Sequence, residues 1–544
     1  MTQKMYYGGN IITVNDALPK AEAVLIEDDK IKAVGTLAEV QAQAADDVEK
    51  VDLAGKTMLP GFVDGHSHIV FSDILPRFDA PPIGHIDSID KLVEAGREFL
   101  EKNPIKGDEW FVGLGYDNAS FPEGKAPTIA DIDRISTEVP IVMLHASGHV
   151  GVCNSKVFEI AGVTKDTPNP PGGVFEKDPV TGELTGMAGE DALNKGIFSH
   201  MPMMTPESML TAVLRAQEKY LSYGVTTAQE GKLDINTIPL VQNLYKMGKL
   251  KIDIYGYPPI EDAACHDFMQ GHHTKDSVYE DGLRIVGVKL FLDGSPQAKT
   301  AWLTHPYYVA PESEDKDYQG FPVYADDDKV CGFFKDCLQN GWQILVHCNG
   351  DAAIDQFINQ YDRAKKETGI TTELRPLVVH CQTVREDQLD RMKEVGMFPT
   401  YFHDHTLFWG DWYLDSVLGP ELGRRISPLA STVKRGMPFT LHQDSPVAPP
   451  DMLLSVHNAV NRKTMSGRDI GHEYTIDPME ALRAVTIYGA YLCFEEDSKG
   501  SIETGKLADF VILDKDPLTV PKNTIRDIKV LETIKRGETV YTAK

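Results

Sequence analysis

The chain has 544 residues, a length that exceeds one ordinary compact domain and predicts a large body with an appended or inserted part. Its composition, 42% hydrophobic and 25% charged, is typical of globular proteins and excludes disordered and fibrous classes. The formal net charge of -27 would repel phosphate backbones and anionic membrane surfaces, which disfavours nucleic acids and membranes as partners.

The N-terminus lacks the apolar stretch and small-residue cleavage site of a secretory signal, and no apolar run is long enough for a membrane span. The seven cysteines are scattered and odd in number, and Cys348 and Cys381 directly follow histidines inside apolar runs. This pattern predicts reduced thiols in a cytoplasmic protein. The oligomeric state stays open, with a homodimer as one alternative.

Short β-rich runs separated by turns occupy about the first fifty residues and favour a small antiparallel β unit. The end of the chain returns to the same style in GSIETGKLADFVILDKDP and IKVLETIKRGETVYT. Because the termini of a domain often lie near each other, we expect residues 1–57 and 498–544 to form one β-sandwich domain.

Between these ends, eight short and nearly all-apolar strands alternate with helical stretches; the first is MLPGFVDGHSH and the last MPFTLHQDSPV. This rhythm is typical of a parallel sheet, and eight strands predict a closed barrel over residues 58–497. Two predicted helices, SMLTAVLRAQEKYLSYG and REDQLDRMKEVG, end at glycine. The long gap at about residues 74–205 predicts an inserted subdomain.

Ligand-type residues fall where predicted strands end. His66 and His68 close the first strand, where alternation points both rings to one side; His347 and His380 end two later strands, and Asp444 ends the eighth. In a (β/α)8 barrel the carboxyl ends of all strands meet at one mouth. Four imidazoles and a carboxylate there predict a site for zinc or a related divalent ion. Taken singly, each histidine has an alternative interpretation as a hydrogen-bonded packing residue.

Lys289 lies inside GVKLFLDG, a strand otherwise too apolar to accommodate an ammonium group. Burial lowers the pKa of a lysine, and a neutral amine can take up carbon dioxide to form a carbamate that bridges two metals. An ion pair of Lys289 with Asp293 or another acid is an equal alternative from residue chemistry alone.

These motifs resemble the amidohydrolase superfamily, and more narrowly its amidohydrolase-3 branch, which includes N-substituted formamide deformylases. The resemblance covers nearly the whole chain and is carried by PGFVDGHSH, GVKLFLDGSPQAKTA, VHCNGDAAID, VVHCQT, HQDSPV and GSIETGKLADFVILDKDP. It implies an α/β fold in which a β-sandwich is joined to a distorted (β/α)8 TIM barrel with one or two metals, usually zinc. The sequence departs from the family at His442, where members often have a small residue, and at Cys348 and Cys381.

The resemblance also implies how the metals are held. The more buried metal would be bound by His66, His68 and Asp444, and the second by His347 and His380. Lys289, if carboxylated, would bridge them.

Weaker motifs suggest substrate contacts. His149 and Asn154 lie in HASGHVGVCNS, which resembles a family segment that approaches the active site; their alternative roles are a strand end and a turn. A loop after the seventh strand offers an apolar pocket wall at the barrel mouth, or alternatively a lid helix packed on the barrel. Its candidate residues are His403, His405, Trp409 and Trp412.

The expected reaction is hydrolysis of a carbon–nitrogen bond in a small amide or N-formyl compound by metal-activated water. Asp444 is the expected base and acid, and His380, or His405 at the mouth, the group that stabilises the oxyanion. One alternative is a deaminase or cyclic-amide hydrolase on the same scaffold; Lys289 counts against the deaminase, because deaminases of this superfamily generally use one metal. Another is a non-catalytic binding protein, which the retained ligand-type residues disfavour.

Overall fold

The computed structural model describes residues 3–70, 77–79, 86–102, 104–105, 109–116, 121, 125–145, 150–170, 173–202, 206–311 and 314–543. The chain divides into two compact units, one formed by Met1–Ser72 and Val213–Lys544, the other by Asp73–Ala212. Within the described ranges, no helix is long and apolar enough to cross a membrane.

Eight strands from both chain ends form one sheet in the first unit. They are β1 (Gln3–Ile12), β2 (Lys20–Glu27), β3 (Lys30–Gly35), β4 (Glu49–Asp52), β5 (Thr57–Pro60), β21 (Phe510–Leu513), β22 (Val530–Lys535) and β23 (Glu538–Thr542). Their order is β23-β22-β21-β5-β1-β2-β3, with β4 paired to β1. The antiparallel pairing of β21 with β5 joins the two ends of the chain.

This sheet is not purely antiparallel, so that part of the prediction is wrong. Both β4 and β5 run parallel to β1. A parallel pair requires a crossover connection, and helix α1 (Leu37–Gln41) lies in the segment that returns the chain from β3 to β4. Apolar side chains from both chain ends, among them Tyr6, Ile11 and Phe510, form a core on this sheet.

Two parallel sheets make up the centre of the first unit. One contains β6 (Phe62–Val63), β13 (Val225–Glu230), β14 (Asp253–Gly256) and β15 (Leu283–Ile285); the other contains β16 (Gly287–Phe291), β17 (Gln343–Cys348), β18 (Leu377–His380), β19 (Phe398–Tyr401) and β20 (Thr440–Leu441). Each of the eight runs predicted from the sequence contains a strand; the first run also includes the end of β5 before β6, and the fourth run contains two strands, β15 and β16. It divides because β15 pairs with β14 whereas β16 pairs with β17.

The hydrogen-bond ladders of these two sheets do not close into one cylinder. A backbone hydrogen bond of 2.8 Å from Lys289 N to Pro258 O links β16 to the residues that follow β14. Strands such as β18 are buried along their whole length, as expected for parallel strands covered on both faces. The architecture is a mixed α/β fold, consistent with a TIM-barrel-like scaffold.

Helices follow most of the central strands. The predicted helix REDQLDRMKEVG is α10, which ends at Gly396, whose φ of +84° suits a residue without a side chain. The helices from α5 onwards, including α10, are α5 (Pro206–Ser222), α6 (Ile238–Lys246), α7 (Ala263–Met269), α8 (Asp327–Asn340), α9 (Asp351–Thr368), α10 (Glu386–Val395), α11 (His405–Phe408), α12 (Gly410–Trp412), α13 (Gly419–Gly423), α14 (Leu429–Lys434), α15 (Met452–Asn461), α16 (Pro478–Ala484) and α17 (Ile487–Leu492). A π-helical turn, Tyr413–Val417, follows α12.

The second unit has its own six-stranded sheet and its own apolar clusters. Its strands are β7 (Arg77–Asp79), β8 (Phe111–Tyr116), β9 (Ile141–His145), β10 (Val150–Cys153), β11 (Gly173–Lys177) and β12 (Leu184–Glu190), in the order β11-β12-β10-β9-β8-β7. The helices α2 (Ile89–Lys102), α3 (Ile129–Asp133) and α4 (Ser155–Ala161) belong to the same unit.

A buried ionic cluster joins the central strands to the flanking sheet. Asp253, the first residue of β14, accepts hydrogen bonds from Lys499 Nζ (2.7 Å) and Lys535 Nζ (2.8 Å) through Oδ2, and from Arg536 Nη2 (3.0 Å) through Oδ1. Burial alone would raise the pKa of Asp253, but these three cations lower it well below its usual range. The cluster therefore holds Asp253 as a carboxylate and ties β14 to the end of β22.

We expect Asp253→Asn to lower the free energy of unfolding by about 3–5 kcal/mol, because it leaves buried ammonium groups without their anion. The matched control is Asp328→Asn, which removes a carboxylate that is 80% exposed and pairs with Arg363; a surface pair contributes about 0–1 kcal/mol. Urea denaturation midpoints at neutral pH measure both. Equal midpoints for the two variants would contradict a stabilising role of the cluster.

The same cluster predicts a pH dependence. Because the pKa of Asp253 is lowered on folding, its stabilising effect is complete above the unfolded-state pKa of about 3.9 and is lost as the pH falls towards the folded-state value. The difference between the wild type and Asp253→Asn should therefore shrink below about pH 4.

Candidate metal centre

His66 and His68 follow β6 in a turn and do not belong to the strand itself. Because β6 covers only Phe62–Val63, strand alternation does not orient the two rings, contrary to the sequence-based expectation. The turn is instead attached to the chain that follows β20, since His68 N donates to Ser445 O at 2.9 Å. In this arrangement the Nε2 atoms of His66 and His68 lie 3.5 and 3.4 Å from Asp444 Oδ1.

Two side chains at the end of β13 hold these imidazoles in position. Gln229 Oε1 contacts His66 Nδ1, and Glu230 Oε1 lies 3.1 Å from His68 Nδ1. Glu230 is itself fixed, because its Oε2 accepts a hydrogen bond of 2.8 Å from Val70 N. Since both acceptors are oxygens, each Nδ1 carries a proton, and in the neutral form of each ring Nε2 is left with a lone pair that can bind a metal ion.

Gln229 and Glu230 were not among the site residues predicted from the sequence. They end the run GVTTAQEG, so their position at a strand terminus was the available signal. The glycine that follows is also needed, because a Cβ on Gly231 would lie 2.2 Å from Cε1 of His66. The end of β13 thus supplies both the hydrogen bonds and the space that the His66 ring requires.

His66, His68 and Asp444 form a group whose potential ligand atoms all lie within 4.8 Å of one another. Burial alone would raise the pKa of Asp444, but the neighbouring imidazoles of His68, His380 and His66 lower it well below its usual range. Asp444 Oδ1 is buried and has no hydrogen-bond partner among the described residues. An orphaned carboxylate oxygen facing two imidazole lone pairs fits a divalent cation, for which nitrogen and oxygen donors are typical ligands.

A second pair of imidazoles lies beside this group. His347 at the end of β17 and His380 at the end of β18 face each other, with Nδ1 of His347 3.0 Å from Nε2 of His380. The other nitrogen of His347, Nε2, donates to Gly294 O at 3.0 Å. The ring centres of His380 and His66 are 5.3 Å apart, which brings the two sets of candidate ligands together.

Lys289 on β16 is 1% exposed, and its Nζ lies 4.8 Å from the ring centre of Phe291. Burial lowers the pKa of Lys289 to about 8 against the opposing charge of Asp444. The alternative ion pair with Asp293 is not formed: the Asp293 carboxylate accepts backbone hydrogen bonds at the start of α9, from Asn349 N and Gly350 N, as well as from Trp302 N.

A chain of polar side chains runs from His347 to His405. Asn349 Nδ2 lies 3.1 Å from His347 Nε2, and Asn349 Oδ1 accepts a hydrogen bond of 2.9 Å from Gln382 Nε2. Gln382 Oε1 accepts from the Tyr413 hydroxyl at 3.1 Å, and that hydroxyl also contacts His405 Nδ1. Asn349 and Gln382 each lie two residues after a candidate ligand, and this spacing could have identified them.

The other three candidates from the loop after β19, His403, Trp409 and Trp412, are not part of this chain of polar side chains. His403 is fully buried, and neither of its ring nitrogens has a hydrogen-bond partner among the described residues. Trp409 is 3% exposed and packs against the His405 ring with centres 4.6 Å apart. Trp412 donates from Nε1 to Gln297 O at 3.1 Å. Substrate contact by these residues stays a prediction.

The two candidates in the second unit also stay predictions. His149 lies outside the described residues. Asn154 caps α4 and is fully buried, with Oδ1 accepting from Ile141 N and Val157 N. Its Nδ2 donates to Ser136 O and Val139 O, so its amide is already engaged in holding β9 and α4.

Similarity to known proteins agrees with this geometry. A sequence profile of the Amidohydrolase family matches residues 49–541, and one of an imidazolonepropionase-like composite domain from bacteria matches residues 23–46. The chain is 24% identical to an N-substituted formamide deformylase of Arthrobacter pascens, over 99% of this chain and 98% of that protein. It is 28% identical to Protein LONG AFTER FAR-RED 3 of Arabidopsis thaliana, over 93% and 86% of the two chains.

A solved structure shares most of this architecture. It is the crystal structure of an uncharacterized metal-dependent hydrolase from Pyrococcus horikoshii OT3, which is 25% identical and covers 96% of this chain and 99% of its own, with a TM-score of 0.75. These matches confirm the resemblance that the sequence motifs carry. The chain belongs to the amidohydrolase family and is a hydrolase.

Proposed function

We propose that this protein is a metal-dependent hydrolase that cleaves a carbon–nitrogen bond in a small amide, N-formyl compound or related substrate. The observation that carries the proposal is the buried group of His66, His68 and Asp444, with its orphaned carboxylate oxygen. The similarity to an N-substituted formamide deformylase over nearly the full length supports this bond type.

In this proposal His66, His68 and Asp444 would hold an inner metal, and His347 and His380 would hold a second. Zinc is the proposed metal, because imidazole and carboxylate are its usual ligands in catalytic sites. Lys289, if carboxylated, would supply oxygen ligands to both metals; its burial outside any ion pair among the described residues supports this role. When bound, such metals lower the pKa of water and polarise a carbonyl group.

The residues of the chain then perform the proton transfers. Asp444 takes the proton of the attacking water and returns it to the departing nitrogen when the tetrahedral intermediate collapses. His380, or His405 at the mouth, would donate a hydrogen bond to the oxyanion. Gln229 and Glu230 keep the ligand histidines from rotating, and the buried surroundings strengthen each electrostatic contact.

The proposal extends to the architecture of the whole chain. The two parallel sheets would close as a distorted (β/α)8 barrel over residues 58–497, with an inserted subdomain at about 74–205 and a β-sandwich domain of residues 1–57 and 498–544. The seven cysteines are all buried and free, which supports a cytoplasmic location. A homodimer stays a prediction.

A substrate screen on zinc-loaded protein tests this function. N-formyl amines, N-acyl amino acids, cyclic imides and simple esters form the panel, and release of carboxylate and amine is measured beside release of ammonia. We expect amide or N-formyl turnover that chelation removes and zinc restores. Full turnover by metal-free protein, or hydrolysis confined to esters, would rule the proposal out; ammonia release alone would identify a deaminase.

Glu230→Gln tests the role of the β13 side chains in metal binding. The amide keeps the shape but removes the charge beside His68, so metal affinity should fall about 10–100-fold, as for other outer-shell partners. Competition with a chromophoric chelator measures the affinity. Glu495→Gln is the control, because Glu495 is also a buried carboxylate but pairs with Lys499. Equal affinities for the two variants would show that Glu230 does not act on the metal.

Asp444→Asn separates metal binding from proton transfer. Asparagine can still donate an oxygen to the metal but cannot accept a proton at neutral pH. Turnover should fall by about 10²–10⁴-fold, the usual contribution of a positioned acid–base group, while much of the metal is retained. Near-normal turnover with metal bound would assign the proton transfer to another group, such as His405.

A further inference from the structure

His442 is a buried imidazole that neither the motifs nor the proposed ligand set uses. It directly follows β20 and precedes Asp444 by two residues. The side chain is 0% exposed, and neither ring nitrogen forms a hydrogen bond of good geometry in the described part of the chain, although the ring lies against the backbone of Thr400. Buried polar groups are hydrogen-bonded in nearly all cases, so a group that lacks a protein partner implies a partner of another kind.

The position of the His442 ring indicates which partner this is. Its centre lies 5.1 Å from that of His66 and 5.1 Å from that of His380. For comparison, the centres of His66 and His68 are 5.2 Å apart. Two imidazoles on one tetrahedral zinc have ring centres about 5 Å apart, given a Zn–N distance of about 2.0–2.1 Å. The spacing of His442 is therefore compatible with rings that share an ion, although packed rings without an ion, such as Phe402 and His442 at 5.3 Å, have similar spacings.

A second buried histidine shows that burial alone does not produce this placement. His403 is also buried and lacks hydrogen bonds of good geometry at both ring nitrogens among the described residues, and it lies two residues after the end of β19. Unlike His442, it has no close ring contact to His66, His68 or His380 among the described residues. The two residues thus differ in whether the ring lies against the candidate ligands.

We propose that His442 is a fourth protein ligand of the inner metal, beside His66, His68 and Asp444. This inference rests on the proposed function. The ring lies outside the set of atoms that already converge within 4.8 Å, so ligation requires its side chain to move towards the ion. Three imidazoles and a carboxylate complete a four-coordinate site without Lys289. The inner metal then binds independently of the carbamate, and only the second metal depends on it.

Metal content tests the proposal without reference to turnover. Lys289→Ala should retain about one zinc per chain, held by the four-ligand set. X-ray absorption at the zinc edge of this variant should show three imidazoles. Two imidazoles, or loss of all zinc at a concentration that loads the wild type, would overturn the proposal; since this arm leaves His442 unchanged, it does not depend on folding of a His442 variant.

The second arm is His442→Phe, which keeps a planar ring but removes both nitrogens, with His403→Phe as the matched control. Affinity for the inner metal should fall by more than about 100-fold in His442→Phe, beyond the range of an outer-shell partner. The visible spectrum of the cobalt-loaded protein should change in this variant and not in His403→Phe. Unchanged affinity and spectrum in folded His442→Phe would overturn the proposal.

These outcomes are distinct from failure of the proposed function. If the wild-type protein bound no divalent metal, the hydrolase proposal itself would fail. If the wild type binds metal and His442→Phe binds it equally well, only the role of His442 is lost.

Discussion

The geometry of the site depends on two hydrogen bonds from the end of β13. Gln229 and Glu230 each engage the Nδ1 of a histidine, and by doing so they direct both Nε2 lone pairs at one oxygen of Asp444. Without these bonds each imidazole could rotate or exchange tautomers, and the three donors would not face a common point. Gly231 contributes to the same arrangement, because the absence of a side chain there leaves room for the His66 ring.

Residues that could bind metal and residues that stabilise the fold lie at opposite ends of the parallel strands. The candidate ligands lie at or just after the carboxyl ends of β6, β17, β18 and β20, whereas Asp253 begins β14 at the opposite end. There it forms the ionic cluster with Lys499 and Lys535 that joins the flanking sheet. Changes at this amino end should affect stability first, while changes at the carboxyl end affect metal binding and reaction.

Much of the site could be predicted from the sequence because its chemistry lies at strand ends. Apolar runs that finish in His347, His380 or Asp444 combine a strand signal with a ligand signal, and both are local in the sequence. The orientation of His66 and His68 was predicted for the wrong reason, since β6 stops before them and contacts with β13 and Ser445 place the rings. Those contacts join residues far apart in the chain, and a single sequence contains no record of them.

In the fold, too, the features visible in local sequence patterns could be predicted, and those that depend on contacts between distant segments could not. The strand runs were visible as local patterns, but the break between β15 and β16 follows from which neighbour each segment pairs with. The parallel pairing of β4 and β5 with β1 likewise depends on the path taken after α1. His442 stood out in the sequence only as a departure from the family, and its meaning came from the distances of its ring to His66 and His380.

The central claim is that the His66, His68 and Asp444 group binds a divalent metal, and anomalous diffraction tests it most directly. Crystals of protein purified without chelator would be measured on both sides of the zinc absorption edge. The account predicts an anomalous peak within bonding distance, about 2.0–2.2 Å, of both Nε2 atoms and of Asp444. A fully active protein whose crystals show no anomalous peak at this group would contradict it.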